Sequence, residues 1–290
     1  PPACHQAGPM LTAAALKTFL RTHDVRLRKR LGQHHLVDAR LVQRLVDRFN
    51  LSPRDTVVEI GAGLGALTEP MAERVARVIA VDVDRKICAL LRERLAQYSN
   101  VTVVCEDILE FSWKAHEGSM VVGAIPYHIT STILVALSEH RRVIREAWLI
   151  LQEEVARRLT ASPGTKAYSR LSVLGQYGWD IERVMAIPRS AFFPQPEVDS
   201  ACLHFRPRLR PAVAVEDELL LFEVVKAAFA HRRKTLVNCL SAHTPRLMSR
   251  GQAEALLREV GLPVAVRGEQ LSLNEFASLA NALGRLNPLR

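Results

Sequence analysis

The sequence predicts an α/β fold built on a parallel sheet, followed by a smaller all-helical region. Three observations predict it. Short apolar runs alternate with helix-periodic stretches over roughly the first 200 residues, the pattern of a sheet covered by helices. A glycine-rich turn, Gly61-Ala62-Gly63-Leu64-Gly65, follows the run Val57-Val58-Glu59-Ile60 directly. Beyond Arg206-Pro207-Arg208-Leu209-Arg210-Pro211, which reads as a linker, the periodicity is only helical.

Residues 1 to about 20 read as a poorly ordered tail with a short helix over Ala13 to Phe19. A basic segment follows, and Asp38 then caps a helix whose Leu41, Val42, Leu45, Val46 and Phe49 recur at helical spacing. Val57 to Ile60 is a buried strand, and Ala66 to Arg74 a helix, with Pro70 tolerable only in its first turn. Val78 to Val81 is a second strand, Ile87 to Gln97 a helix, Val101 to Cys105 a third strand and Met120 to Gly123 a fourth. Thr130 to His140 is helical, Trp148 to Leu151 a fifth strand, and Glu153 to Leu159 a helix leading into a loop over Thr160 to Lys166. Ser172 to Tyr177 fits either strand or helix. Val184 to Ile187 and Ser200 to Phe205 read as strands, separated by a Pro-rich stretch that cannot be a central strand. The last helices span Leu219 to Ala230, Arg233 to Ser241, Gln252 to Val260 and Leu273 to Leu283.

The chemistry gathers at the strand ends. Gly61 and Gly63 lack a Cβ, so a ligand can approach the main chain there. The spacing is G-x-G-x-G, not the G-x-G-x-x-G of dinucleotide folds, and no Lys-Ser/Thr follows as in a P-loop. A strand-to-helix turn without a ligand is the alternative reading. The second strand ends in Asp82, about twenty residues past the glycines, where an acid can accept hydrogen bonds from ribose hydroxyls. The third ends in Glu106-Asp107 and the fourth in Ala124-Ile125-Pro126-Tyr127. In an open α/β sheet, ligands bind outside the carboxyl ends of the strands.

Composition narrows the partner. The chain has 290 residues, 48% of them hydrophobic, and a net charge of +9, which suits a polyanion. Two basic clusters stand out, Arg28-Lys29-Arg30 and Arg232-Arg233-Lys234, each also readable as a solvated charge run. The five cysteines include no C-x-x-C pair, and Gln33-His34-His35 is not spaced like a metal site, so no metal is expected. Widely spaced thiols fit a reducing, cytoplasmic setting. No apolar run is long enough to span a membrane, and the first 20 residues lack the basic leader and compact apolar core of a signal peptide.

The chain resembles the small-subunit ribosomal RNA adenine N6,N6-dimethyltransferases, the bacterial kasugamycin-sensitivity family, which are related to the Erm macrolide-resistance methyltransferases. The likeness runs from about Leu27 to Leu283. It rests on R-K-R-L-G-Q-H-H-L at 28 to 36, V-E-I-G-A-G-L-G-A-L-T-E at 58 to 69, E-D at 106 and 107 and I-P-Y at 125 to 127. K-A-Y-S-R-L-S-V at 166 to 173, S-A-F-F-P-Q-P-E-V-D-S-A at 190 to 201 and H-R-R-K-T-L at 231 to 236 are specific to this family. The resemblance implies a Rossmann-like S-adenosylmethionine-dependent methyltransferase domain and a small helical C-terminal domain. The implied division is a flexible tail at 1–23, the methyltransferase domain at 24–206, a linker at 207–214 and a helical RNA-binding domain at 215–290.

The resemblance also implies two methylations on each of two adjacent adenines near the 3′ end of small-subunit (16S-type) rRNA, during ribosome biogenesis. The implied partner is the small ribosomal subunit, met as a monomer. Carried over by position, His34 and Leu36 line the methionine end of the donor, and Gly61 and Gly63 contact its backbone. Asp82 holds the ribose and Asp107 the adenine amino group, with Glu59, Val83, Ile108 and Ala124 completing the cofactor set. Ala124, Ile125, Pro126, Tyr127 and Phe192 form the catalytic set, Tyr127 and Phe192 sandwiching a flipped adenine. Arg28, Lys29, Arg30, Lys166, Arg170, Arg232, Arg233 and Lys234 touch RNA. S-adenosylhomocysteine is the implied product.

Two positions depart from the family. His35 stands where Phe is usual. Ala124 stands where the motif has Asn or Asp, whose side-chain oxygen would accept one N6–H bond while the next carbonyl, here that of Ile125, accepts the other. A weakened enzyme acting mainly as a small-subunit assembly factor is therefore the alternative function.

Overall fold

The structure, a computed structural model, describes residues 12–25, 27, 32–126, 129–243 and 248–286. It divides into two compact units. One runs through Ala156 and resumes over Glu182–Pro207; the other comprises Arg157–Ile181 and the chain from Arg208 on. The boundary therefore falls inside a helix and a strand as well as at the expected linker, and residues 157–181 group with the helical part.

The first unit opens with α1 (Ala13–Thr22), capped by Thr12, whose hydroxyl accepts the Ala15 N–H at 3.3 Å. Leu16 and Leu20 are buried against Leu64, Ile87 and Leu90. Residues 12–22 are thus part of the folded unit and not the free tail expected, because two leucines one helical turn apart give α1 an apolar stripe to bury. Next come β1 (His35–Leu36) and α2 (Ala39–Arg48), capped by Asp38 as the sequence suggests. β2 (Thr56–Ile60), α3 (Thr68–Ala72), β3 (Arg77–Asp82), α4 (Arg85–Arg94) and β4 (Val101–Cys105) follow. Then come β5 (Ser119–Ala124), α5 (Thr130–Glu139), β6 (Ile144–Gln152), α6 (Glu153–Leu159), α7 (Arg170–Gly178), β7 (Trp179–Ile187), β8 (Phe192–Phe193) and β9 (Ser200–Pro207). Ser172 to Tyr177, ambiguous in sequence, is helical.

The main sheet has seven strands in the order β4-β3-β2-β5-β6-β9-β7. From β4 to β6 every pair is parallel, and β9 runs antiparallel to β6. The chain winds outward from β2 in one direction, then returns to β5 on its other side, so the topological switch lies between the ends of β2 and β5. A separate two-residue ribbon pairs β1 with β8, setting His35 opposite Phe193 and Leu36 opposite Phe192.

α3 begins later than the helix expected from Ala66. Gly61, Gly63 and Gly65 hold φ of +69°, +56° and +87°, which keeps the turn out of helix until Thr68. The second unit carries α8 (Glu218–Ala228), α9 (Leu236–His243), α10 (Arg250–Glu259) and α11 (Leu273–Leu286) around a core that includes Tyr168, Tyr177, Leu221 and Phe276. His231 to Lys234, expected partly as helix, form a turn before α9, closed by the Lys234 N–H on the His231 carbonyl at 2.9 Å. No described helix is long and apolar enough to cross a membrane.

Candidate active site

A cavity of about 200 Å³ opens at the switch point. It is lined by Gly32–His35, by Ile60, Gly61 and Gly63 after β2, by Val81–Val83 at the end of β3, by Glu106–Ile108 after β4, by Ala124 and Pro126 after β5, and by Ile129 and Ile133 on α5. Of the sequence candidates it gathers His34, Gly61, Gly63, Asp82, Val83, Asp107, Ile108, Ala124 and Pro126.

The glycine turn is held from three sides. A Cβ on Gly61 would lie 3.3 Å from the Ala124 carbonyl oxygen, and one on Gly63 would lie 2.7 Å from His35 Nδ1. The Gly63 N–H donates to Asp82 Oδ2 at 2.9 Å. Asp82 Oδ1 accepts the Asp84 N–H, also at 2.9 Å. Burial pushes the Asp82 carboxyl above its ordinary value, and the two main-chain donors oppose that shift. Asp84 in turn caps α4 and accepts Gln33 Nε2 at 3.1 Å, which ties the segment before β1 to the end of β3. Sequence reasoning overlooked Asp84, because its partner stands 51 positions away.

Asp107 is exposed and folds back to accept the Leu109 N–H at 3.0 Å through Oδ1. His34 Nδ1–H donates to the Pro194 carbonyl at 2.6 Å, fastening β1's approach to the Pro-rich loop. His35 lines the cavity, with Nε2 buried and without a hydrogen-bond partner. Burial, with the neighbouring His34, lowers its pKa to about 4, so it is neutral near pH 7. The Ile125 N–H donates to the Ile150 carbonyl at 3.0 Å, which anchors the turn after β5, and no described group donates to the Ile125 carbonyl.

Four expected members, Glu59, Leu36, Phe192 and Ile125, are not on the wall, Ile125 being only 2% exposed. Glu59 is fully buried and accepts the Thr68 hydroxyl; burial pushes its pKa up to about 8, the Thr68 bond opposes this and the Asp82 charge adds to it. Leu36 and Phe192 are each 5% exposed and pack together with Val42, Trp148 and Ile150. Phe192 is thus a core aromatic here, with Ala124 against the same cluster, and presents no open face. Tyr127 lies outside the described residues, as do Arg28, Lys29 and Arg30.

In the second unit Lys166, Arg170, Arg233 and Lys234 are exposed. Arg232 is engaged: Nε and Nη2 donate to Glu269 Oε2 at 3.1 and 3.0 Å, and Nη2 donates to the Lys166 carbonyl at 2.9 Å. Among the described residues no group of His, Cys, Asp and Glu is arranged to hold a metal ion.

The glycine cradle and two carboxylates at successive strand ends suit a nucleoside-bearing ligand. Comparison with known proteins points the same way. A family model described as ribosomal RNA adenine dimethylase matches residues 25–284. Ribosomal RNA small subunit methyltransferase A of Bacillus mycoides is 42% identical over 276 residues, covering 92% of this chain and 94% of that protein. The same holds for its counterpart in Bacillus thuringiensis. The crystal structure of the 23S rRNA methyltransferase ErmE superposes with a TM-score of 0.66 at 29% identity, covering 86% of this chain and 98% of that one. A dimethyladenosine transferase from Plasmodium falciparum shares the fold, with a TM-score of 0.74 at 24% identity, over 85% and 96% of the two chains.

Proposed function

The chain belongs to the ribosomal RNA adenine dimethylase family, and from that premise we propose that it transfers methyl groups from S-adenosylmethionine to N6 of two adjacent adenines near the 3′ end of small-subunit rRNA during ribosome assembly. The observation that carries the reading is the cavity at the β2–β5 switch, where the glycine turn, Asp82, Asp107 and the two neighbours of Ile125, Ala124 and Pro126, line one wall.

The residues fit the donor. At Gly61 and Gly63 a Cβ would press on the Ala124 carbonyl and the His35 ring, so glycine lets the main chain of the turn itself stand on the cavity wall. Asp82 lies where ribose hydroxyls are held in this fold, and exposed Asp107 is free to accept an amino N–H through its second oxygen. When bound, the donor supplies an electrophilic sulfonium methyl.

The protein supplies position and hydrogen bonds. Adenine N6 is a poor nucleophile, because its lone pair is delocalised into the ring. Accepting an N6–H at the Ile125 carbonyl draws that pair back toward nitrogen and aims it. The target base must leave its stack at a cost of a few kcal/mol, and stacking on an aromatic face offsets about 1–3 kcal/mol. Tyr127, directly after Pro126, supplies one such face in this reading. Phe192 takes part only if the packing around Leu36 opens.

A second reading rests on Ala124, whose methyl group lines the cavity and cannot accept a hydrogen bond. There the chain binds the immature subunit and methylates it slowly. Transfer of tritiated methyl groups onto unmethylated small subunits, with mass-spectrometric mapping of the rRNA, separates the two. Two neighbouring dimethyladenosines formed within minutes support the first reading. Tight binding with little label supports the second.

A further inference from the structure

α2 carries a feature that neither the donor pocket nor the basic clusters account for. Arg40, Arg44 and Arg48 recur every fourth residue and are all exposed. At 3.6 residues per turn they fan over about 80° of the helix and run about 12 Å along its axis. Leu41, Val42, Leu45 and Val46 bury the opposite side in the core. The acid of α2, Asp47, borders the stripe beside Arg40 and is held by Arg74 at 2.8 Å and by Gln43 at 3.0 Å. None of the three arginines forms an ion pair with a described acid. Among the described residues the stripe has one side-chain hydrogen bond, Arg44 Nη2 to the Met185 sulfur on β7, at 3.4 Å. Since β7 is the outer strand of the sheet, the stripe borders a sheet edge.

Solvated helix faces usually mix signs, and neighbouring like charges at this spacing repel one another. Here the acid is paired with Arg74, leaving three guanidiniums in file without an acid partner among the described residues. Guanidinium is the side chain best matched to phosphate oxygens, through paired N–H donors. The file starts four residues after Leu36, so its first arginine stands close to the segment that walls the cavity.

We propose that this flank of α2 is a phosphate track for the RNA strand that enters the active site, with Arg40, Arg44 and Arg48 contacting successive backbone phosphates. The inference rests on the rRNA reading above and adds a contact surface to it. The partner is RNA and not an acidic protein, because the stripe lacks the apolar anchor residues that protein interfaces bury at their centre.

Unmethylated small subunits, and the protein-free rRNA taken from them, are titrated over a salt series with the parent chain, with R40A/R44A/R48A and with R40K/R44K/R48K. For the alanine variant, the log–log salt slope on both ligands should drop by about 2 to 3, at roughly 0.7–0.9 per lost phosphate contact, and affinity should fall at least about tenfold. The lysine variant should keep most of the slope, and all three proteins should bind S-adenosylhomocysteine alike. A parent that binds the subunit while the alanine variant keeps its slope overturns the track and leaves the rRNA reading standing. Loss of binding to whole subunits with an unchanged slope on protein-free rRNA also overturns it, since the face then docks a ribosomal protein. A parent without salt-dependent binding to either ligand overturns the rRNA reading and the track together.

Discussion

The Gly63 N–H points at the Asp82 carboxylate, 2.9 Å away, so the turn after β2 is fixed by the side chain at the end of β3. The same carboxylate takes the Asp84 N–H on its other oxygen. Asp82 therefore shapes the cradle as well as offering lone pairs to a ribose, and its removal acts twice. Asp82→Ala should weaken S-adenosylhomocysteine binding by about 1–3 kcal/mol, the range for losing hydrogen bonds to a charged group. Calorimetric titration reads it directly. Unchanged affinity in the variant removes Asp82 from the donor site.

Glu59 makes stability depend on pH with an unusual sign. Its folded pKa of about 8 lies above the ordinary 4.5, so between these values the folded chain holds a proton that the unfolded chain releases. Raising the pH through that window therefore favours unfolding. The stabilisation is complete below 4.5, declines progressively above it and is gone above about 8. The loss should be of the order of a few kcal/mol. Glu59→Gln keeps a polar partner for Thr68 and cannot ionise. Denaturant unfolding at pH 5.5 and 8 should show the parent losing more stability than the variant, and parallel losses show that Glu59 is not the group responsible.

The basic turn of the second unit splits into two kinds of cation. Arg233 and Lys234 are exposed at the turn, whereas Arg232 binds Glu269 and the Lys166 carbonyl. Arg233→Ala and Lys234→Ala should each reduce the salt slope of subunit binding by roughly 0.7–0.9. Arg232→Ala should change the slope less, and should increase amide hydrogen exchange in the Gly164–Lys166 loop, because it frees that loop's carbonyl. Equal slope losses for all three, with exchange unchanged, make Arg232 a direct phosphate contact.

Much of the site was legible because strand ends announce themselves. An apolar run followed by glycine, acid or Pro-Tyr marks where a strand stops, and Gly61, Gly63, Asp82, Asp107, Ala124 and Pro126 meet at one cavity for that reason. What stayed hidden depends on direction and on distant partners. In β8 two phenylalanines stand side by side, and alternation over two residues cannot say which turns inward; Phe192 does, while Phe193 stays half-buried. Glu59 sits within a strand buried on both faces, so its side chain is enclosed wherever it points. Arg232 reads as one of a basic run until Glu269, 37 positions away, is placed beside it. The sequence shows a short helix at Ala13 to Phe19 but not its docking, because its apolar partners, Leu64, Ile87 and Leu90, come from elements far along the chain.

The last prediction concerns the turn after β5. Ala124 is half-buried on the cavity wall, and the next residue is locked by its N–H on the Ile150 carbonyl at 3.0 Å. That bond directs the Ile125 carbonyl without occupying it. A flipped adenine presents two N6–H bonds in the plane of its ring. If Ile125 accepts one, the other points at the Ala124 side chain, where a methyl group offers nothing. A buried donor left unpaired costs about 1–3 kcal/mol. The deficit grows as positive charge develops on N6, so by analogy with deleting one preorganised polar group, turnover should be about 10²–10³-fold below that of an enzyme with an amide there. Ala124→Asn should restore that factor in the rate of methyl transfer. Donor affinity and the salt slope of subunit binding should stay as they are, because the glycine cradle, Asp82 and the basic faces are untouched. If Ala124→Asn turns over no faster than the parent in single-turnover assays on unmethylated subunits, the second N–H is met by another group, and the weakened-enzyme reading loses its basis.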